Sequence, residues 1–154
     1  MSLQVMSQNS VDTEMLGEHV GRLLEAGDIV CLYGELGSGK TTFVRGAARA
    51  LGITGPVTSP TYTVGHRYGG DVDVSHLDLY RFQELSAEDW GNLEAYFEDA
   101  VVFVEWPEAG SGWLPAARAS VRLRHLGDVH RLVLLQSPEK PLEIRLTSGA
   151  DPRV

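Results

Sequence analysis

The residues best suited to chemistry form one glycine-rich turn, residues 34–41, whose sequence GELGSGKT satisfies the pattern G-x-x-x-x-G-K-S/T. In such a turn, successive backbone N–H groups point inward at an anion, and glycines leave room for its approach. Lys40 adds a full positive charge for the β- and γ-phosphates, and the Thr41 hydroxyl is a ligand for Mg²⁺. The predicted phosphate-binding residues are Gly34, Glu35, Leu36, Gly37, Ser38, Gly39, Lys40, Thr41 and Thr42.

The segments on either side of the glycine-rich turn have the pattern that such a turn requires. Ile29–Tyr33 is a run of five apolar residues, which is typical of a strand covered on both faces in a parallel sheet. Phe43, Ala47 and Leu51 then recur at helical spacing, and Gly52 ends the predicted helix. GTP-specific proteins usually carry an N/T-K-x-D motif that reads the base, and this sequence has none. The predicted nucleotide is therefore ATP.

A second apolar strand is predicted at Val101–Val104, and it is followed directly by Glu105. Phosphate-binding turns of this kind work with a carboxylate at the end of a neighbouring strand, which holds Mg²⁺ through water. An ordinary surface acid at a strand end is the alternative. With the glycine-rich turn present, the sequence favours Glu105, together with Thr41, as a metal ligand.

Asp78 is the other candidate acid, because it follows an alternating apolar segment at residues 72–77. At a strand end, its carboxylate could bind the metal or orient the attacking water. Alternatively, His76, Asp78 and Arg81 form a structural hydrogen-bonded cluster, and the residues alone do not choose between the two interpretations. The predicted catalytic group is Lys40, Asp78 and Glu105.

The loop Ser59–Thr63 is a candidate switch within a Pro/Ser/Thr-rich segment, residues 56–66. Thr61 could contact Mg²⁺ or the γ-phosphate when ATP is bound. By spacing alone, an ordinary turn is favoured.

Two further helices are predicted from local patterns. The apolar stripe in residues 15–24 predicts a helix that ends near Gly27, with the hydroxyls of Ser10 and Thr13 available to cap its start. A capping-box pattern in residues 86–89 begins another helix, which runs to about residue 97.

The strand pattern completes the predicted fold. Two short strands flank Gly69-Gly70 as a hairpin, and residues 120–126 and 131–136 alternate as antiparallel edge strands around a second hairpin. Because strands and helices alternate through the first two-thirds of the chain, the predicted class is α/β. We expect a P-loop NTPase-like, mainly parallel sheet flanked by helices, with antiparallel edge strands.

Length and composition fit a single domain over residues 1–154, in which the tail after Pro138 is weakly specified. The chain has 154 residues, of which 43% are hydrophobic and 22% charged, as in ordinary globular proteins. No apolar run approaches the roughly 20 residues that a membrane helix needs. Cys31 is the only cysteine, so a reducing, cytoplasmic setting is expected.

The net charge of −8 is unevenly distributed, with −11 in the first 110 residues and +3 in the remaining 44. An acidic body is a poor primary binder of nucleic acid, because affinity for phosphate backbones comes largely from Lys and Arg. We therefore expect no DNA partner and no membrane partner. The basic C-terminal part leaves a secondary contact open, although a solvated strand face explains its charge more simply.

Four motifs in a fixed order resemble the TsaE (YjeE) family. They are Gly34–Thr42, Ser59–Thr63, His76–Arg81 and Val104–Glu108. The resemblance runs from about Thr13 to the hairpin near residue 127. The family usually has alanine at the position of Ser38 and Leu-Gly at the position of Trp90-Gly91, and the tail past residue 138 has no counterpart.

The resemblance implies a function and a set of roles. Family members are small bacterial ATPases of tRNA threonylcarbamoyladenosine (t6A) biosynthesis, slow alone, that work with the TsaD–TsaB complex and meet tRNA through it. By resemblance, Thr41 and Glu105 are Mg²⁺ ligands, Asp78 is a required acid near the metal, and Trp106 belongs to a surface needed for activity. Ser10 and Thr13 are implied to lie near the adenine.

Three functional hypotheses follow. The first is a Mg²⁺-dependent ATPase that acts on a partner protein. The second is a small-molecule kinase with Asp78 as base, although no arginine-rich lid segment is evident between Lys40 and Glu105. The third is an adaptor in which ATP only rigidifies a surface around Trp106 and Trp113, two residues that core packing would explain equally well.

Overall fold

The computed structural model of the chain describes residues 2–35, 37–60, 63–125 and 131–136. The helices are α1 (Ser10–Gly21), α2 (Lys40–Ala50) and α3 (Ala87–Leu93), and 3₁₀ helices lie at Glu94–Phe97 and Pro107–Gly110. The strands are β1 (Ser2–Ser7), β2 (Ile29–Tyr33), β3 (Gly65–Tyr68), β4 (Val74–Asp78), β5 (Val101–Glu105), β6 (Ala119–His125) and β7 (Arg131–Gln136).

The seven strands form one sheet in the order β1-β7-β6-β2-β5-β4-β3. The four central strands β6, β2, β5 and β4 are mutually parallel, whereas β3 and β7 are antiparallel to their neighbours. The carboxyl ends of β2, β5 and β4 therefore meet at one edge of the sheet. In register, Glu105 on β5 lies between Leu32 on β2 and Asp78 on β4. This arrangement confirms the predicted fold class.

Each face of the sheet has its own apolar core. One core contains the buried faces of α1 and α2, with Val20 and Phe43 packed near Phe103. The other lies towards α3 and the 3₁₀ helices, where Leu93 packs near Leu77. Because both faces of the central strands are covered, β2 and β5 need apolar residues at nearly every position. This explains why neither strand shows alternation.

Three predictions about the elements need correction. The N-cap of α1 is Asn9, whose side chain accepts a hydrogen bond from the backbone N–H of Asp12, so neither Ser10 nor Thr13 caps it. Helix α1 ends at Gly21 rather than near Gly27. Strands β6 and β7 are antiparallel to each other as predicted, but neither is an edge strand, because β1 pairs outside β7 and β6 pairs with β2.

Other local predictions are confirmed. The capping box at Ser86 and Asp89 is present in both directions, although the helix continues beyond Leu93 only as a 3₁₀ turn. Strands β3 and β4 form the predicted antiparallel pair. The second hairpin, around residue 127, and the tail past residue 138 lie outside the described residues.

Replacing Gly17 with alanine is expected to destabilise the protein by about 1–3 kcal/mol, the usual range for an overpacked site. A Cβ at Gly17 would enter the space of the Phe43 carbonyl, because α1 and α2 cross there with backbone in contact. Urea unfolding followed by circular dichroism measures the change.

The matched control is Gly91→Ala, since a Cβ at this position in α3 has no heavy atom within 4 Å. Alanine in an open helical position should stabilise by about 0.5–1 kcal/mol. Equal effects of the two substitutions would contradict the close helix crossing.

Candidate functional site

The glycine-rich turn connects the end of β2 to the start of α2. A Cβ at Gly34 would lie 2.5 Å from Ser38 Oγ and 2.7 Å from the Leu123 carbonyl oxygen, so this position requires glycine. Gly39 has φ +107° and is the N-cap of α2, where no side chain caps the helix. The N terminus of α2 therefore presents its backbone donors and positive dipole end to the turn, as an anion site requires.

Lys40 places its ammonium group at the centre of the site. The side chain is 5% exposed, and Nζ donates to the Gly34 carbonyl oxygen at 2.5 Å. Nζ also lies 3.8 Å from Glu105 Oε1 and 4.3 Å from the centroid of the Trp106 ring. Burial lowers the pKa of Lys40, while the nearby carboxylates of Glu105 and Asp78 act in the opposite direction. The turn thus holds a desolvated cation in a fixed place.

The two acids at the ends of β5 and β4 have different surroundings. Glu105 is 4% exposed, and its Oε2 lies 2.5 Å from His76 Nε2. Asp78 is half-buried, and its Oδ1 accepts a hydrogen bond of 2.9 Å from the Tyr80 backbone N–H. Burial raises the pKa of the Asp78 carboxyl, and the Glu105 charge adds to this, against the lowering effects of the Tyr80 N–H and Lys40.

A cleft of about 310 Å³ brings these groups together. Its volume is within the range of small-molecule sites. The structure therefore gathers most of the predicted turn residues and both acids around one space, with Ser59 as an additional wall residue from the candidate switch loop. Its lining is Gly37, Gly39, Lys40, Thr41, Thr42, Ser59, Asp78 and Glu105.

The donor set of the cleft suits Mg²⁺ held jointly with phosphate. Thr41 and the two carboxylates offer the oxygen ligands that this ion prefers, and Mg²⁺ is usually bound through one or two carboxylates plus substrate phosphates. Among the described residues, no group of three or more His, Cys, Asp or Glu could hold a metal on its own. The residues present therefore fit a metal that arrives with a nucleotide.

The other predicted site residues do not line this cleft. Ser10 is exposed at the start of α1, and the buried Thr13 hydroxyl lies 2.7 Å from Ser7 Oγ. Their placement near an adenine stays a prediction. Glu35 borders a smaller neighbouring cleft, and Ser38 is buried within the turn. Leu36 and Thr61 lie outside the described residues.

Trp106 forms a wall beside Lys40 and has an unusual backbone. Its φ of +54° and ψ of +53° are left-handed, which is a rare conformation for a bulky residue. Its ring lies 5.1 Å from the ring of Tyr80, which is 55% exposed. Trp113 lies elsewhere, where its Nε1 donates to the Leu85 carbonyl oxygen. Of the two tryptophans, only Trp106 contacts the candidate site.

His76 contacts Glu105, a partner that the sequence analysis did not predict. The structural alternative grouped it with Asp78 and Arg81, whereas the structure pairs its imidazole with Glu105. The sequence signal for this contact was the alternation of Val74, His76 and Asp78, which puts all three side chains on one face of β4. Glu105 on β5 pairs in register with Asp78 and therefore lies on the same face of the sheet.

Replacing Asp78 with asparagine is expected to stabilise the nucleotide-free protein at pH 7. A carboxyl whose pKa is raised on folding contributes stability only while it is protonated, and this stability is lost as the pH rises through the raised pKa. Asparagine removes the charge and keeps an acceptor for the Tyr80 N–H. The gain, measured by urea unfolding, should shrink as the pH is lowered towards and below about 4, the ordinary pKa of aspartate. A gain independent of pH would contradict this account.

The fold and the site together define a P-loop NTPase-like α/β protein, with a glycine-rich turn after one parallel strand and acids on the next two. The family model described as Threonylcarbamoyl adenosine biosynthesis protein TsaE matches residues 7–133. The chain belongs to the TsaE family.

Individual relatives agree with this assignment. The tRNA threonylcarbamoyladenosine biosynthesis protein TsaE of Treponema pallidum is 39% identical over 130 residues, covering 84% of this chain and 96% of the relative. The protein of the same name from Bacillus subtilis is 36% identical over 124 residues, covering 80% and 78%. The crystal structure of Bacillus subtilis YdiB superposes with a TM-score of 0.75 at 29% identity, covering 89% of this chain and 86% of that one.

Within the described part of the chain, no helix is long and apolar enough to cross a bilayer.

Proposed function

We propose that this protein is a Mg²⁺-dependent ATPase that supports t6A modification of tRNA in the cytoplasm by acting on a TsaD–TsaB protein complex. The proposal is carried by the convergence of Lys40, Thr41, Asp78 and Glu105 on one cleft beside the glycine-rich turn. Family membership supports the pathway, since the relatives are named for threonylcarbamoyladenosine biosynthesis.

The glycine-rich turn binds the phosphates of ATP. Its backbone N–H groups and the N terminus of α2 donate to the phosphate oxygens. When the nucleotide binds, Lys40 exchanges its hydrogen bond to the Gly34 carbonyl oxygen, 2.5 Å in this structure, for contacts with the β- and γ-phosphates. It then neutralises charge there as the bond between them breaks. Because the ammonium is already desolvated, little reorganisation is needed at that moment.

Thr41 and Glu105 hold the magnesium ion. Thr41 is in the first turn of α2, and both Thr41 and Glu105 line the cleft. When bound, the ion would supply positive charge to the phosphate oxygens on which negative charge develops. Glu105 would hold the ion through water, as the strand-end acid does in this class of site.

Asp78 orients the water that attacks the γ-phosphorus. It lines the cleft next to Glu105, and its raised pKa brings it closer to that of a useful proton acceptor. The products are ADP and inorganic phosphate, and the proton lost by water leaves through the Asp78 carboxylate. We expect Asp78→Asn to lose hydrolysis while gaining stability.

The basal rate is expected to be low, because no arginine is among the described residues that line the cleft. An arginine supplied in trans accelerates related reactions by about 10³- to 10⁵-fold. A TsaD–TsaB complex is the proposed source of the missing stabilisation, and it is also the component through which this protein meets tRNA.

Phosphate release by the purified protein tests the proposal. The protein is titrated with ATP and GTP, alone and with a TsaD–TsaB complex, without any added hydroxyl acceptor. We expect slow release from ATP, less from GTP, and stimulation by the complex. Phosphate transfer that requires a hydroxyl acceptor and releases no free phosphate would favour the kinase hypothesis instead.

A further inference from the structure

We propose that His76 is a positioning residue, which holds the Glu105 carboxylate in the orientation that the metal requires. This inference rests on the proposed function, because it takes Glu105 as a ligand of magnesium through water. It assigns to His76 a role that acts through Glu105 and involves no contact with the nucleotide.

The imidazole and the carboxylate form a buried pair across two strands. His76 is fully buried, and Glu105 is 4% exposed. His76 pairs in register with Phe103, two residues before Glu105, so both side chains lie on the same face of the sheet. Nε2 of His76 lies 2.5 Å from Oε2 of Glu105, within hydrogen-bonding distance.

The hydrogen bond to Glu105 is the polar contact that accounts for a histidine at this position. Among the described residues, Nδ1 of His76 is buried and has no hydrogen-bond partner. A carboxylate only accepts hydrogen bonds, so Nε2 donates to Glu105, and Nδ1 is left without a partner. An unsatisfied buried polar atom is unfavourable. An apolar residue of similar volume would avoid this penalty but would lose the contact with Glu105.

The contact with His76 involves only Oε2 of Glu105, so the second carboxylate oxygen, Oε1, remains for contacts in the cleft. Oε1 of Glu105 lies 3.8 Å from Lys40 Nζ, on the side where the nucleotide and metal bind. Without the His76 hydrogen bond, the carboxylate could rotate and draw closer to the ammonium group. That would weaken metal binding and keep Lys40 from the phosphates. Partners of this kind typically change metal affinity by about 10- to 100-fold.

The test compares nucleotide binding with and without magnesium. The probe is a non-hydrolysable ATP analogue, whose dissociation constant is measured by calorimetry in excess Mg²⁺ and in EDTA. The variants are His76→Phe, which fills the space without a donor, and His76→Gln, which keeps a side-chain N–H. His66→Phe is the matched control, because His66 lies opposite His76 on β3 and bonds Tyr68 instead.

We expect His76→Phe to reduce the affinity gain from Mg²⁺ by about 10-fold and to leave the affinity in EDTA nearly unchanged. His76→Gln should recover most of the gain, and His66→Phe should behave as wild type. Equal weakening in Mg²⁺ and EDTA would indicate a merely structural role and overturn the inference. Failure of the proposed function would give a different result. If Glu105 were not a magnesium ligand, Glu105→Gln would leave the affinity gain from Mg²⁺ intact.

A second measurement does not depend on folding of the variants. Nitrogen-15 NMR of the imidazole in the nucleotide-free wild-type protein reports which ring nitrogen carries the proton. We expect a proton on Nε2 of His76. A neutral ring with its proton on Nδ1 could not donate to Glu105, and this result would overturn the inference.

Discussion

Replacing Lys40 with alanine is expected to lower the rate of ATP hydrolysis by about 100- to 1,000-fold, the usual effect of removing a preorganised electrostatic group. The ammonium lies within the turn, 5% exposed, and no other described residue that lines the cleft is a lysine or arginine. The variant keeps the backbone donors of the turn, so it should lose transition-state stabilisation more than ground-state binding. Phosphate release at saturating ATP measures the effect.

The control for this variant is Lys140→Ala, which removes the only other lysine of the chain. It should leave hydrolysis at the wild-type rate. Because Lys40 also pairs with the buried Glu105, urea unfolding must be run on both variants. A folded Lys40→Ala protein that hydrolyses ATP at the wild-type rate would remove Lys40 from the mechanism.

Replacing Glu105 with glutamine is expected to lower Mg²⁺-dependent hydrolysis by about 10- to 100-fold. Glutamine preserves the size of the side chain and an acceptor for His76, but it removes the charge that faces the metal position. The apparent Mg²⁺ requirement should rise at the same time. A titration of phosphate release against Mg²⁺ at fixed ATP measures both changes.

Glu108→Gln is the matched control, because Glu108 lies three residues further on, is exposed, and lines a different depression. It should change the Mg²⁺ requirement little. If Glu105→Gln retained full hydrolysis at every Mg²⁺ concentration, Glu105 would have to be removed from the set of metal ligands.

The local parts of the site were predictable because they are encoded by contiguous residues. The glycines, Lys40 and Thr41 stand within eight positions, and their chemistry follows from residue type alone. Glu105 was predictable for a related reason, since it follows an unbroken apolar strand and parallel strands end at the same edge.

The parts that could not be predicted depend on contacts between distant residues. His76 and Glu105 are 29 positions apart, and only the β4–β5 register brings them together. Strand β1 pairs with β7 from the other end of the chain, so its pattern alone did not reveal that it forms an edge of the sheet. The choice of Asn9 over Ser10 as N-cap is local, but both residue types are good caps.

The backbone of Trp106 shows a further limit of sequence reasoning. A tryptophan at φ +54° is contrary to local preference, and it persists only where surrounding packing enforces it. The ring contacts with Lys40 and Tyr80 arise from that conformation. Such departures from local preference tend to occur at functional sites.

The most direct test of the central claim is calorimetric titration of the wild-type protein with a non-hydrolysable ATP analogue in the presence of Mg²⁺. We predict saturable binding of one nucleotide per chain, which inorganic triphosphate displaces because the turn binds the phosphates. The absence of any binding heat, or binding that triphosphate cannot displace, would contradict the assignment of residues 34–41 as a phosphate site.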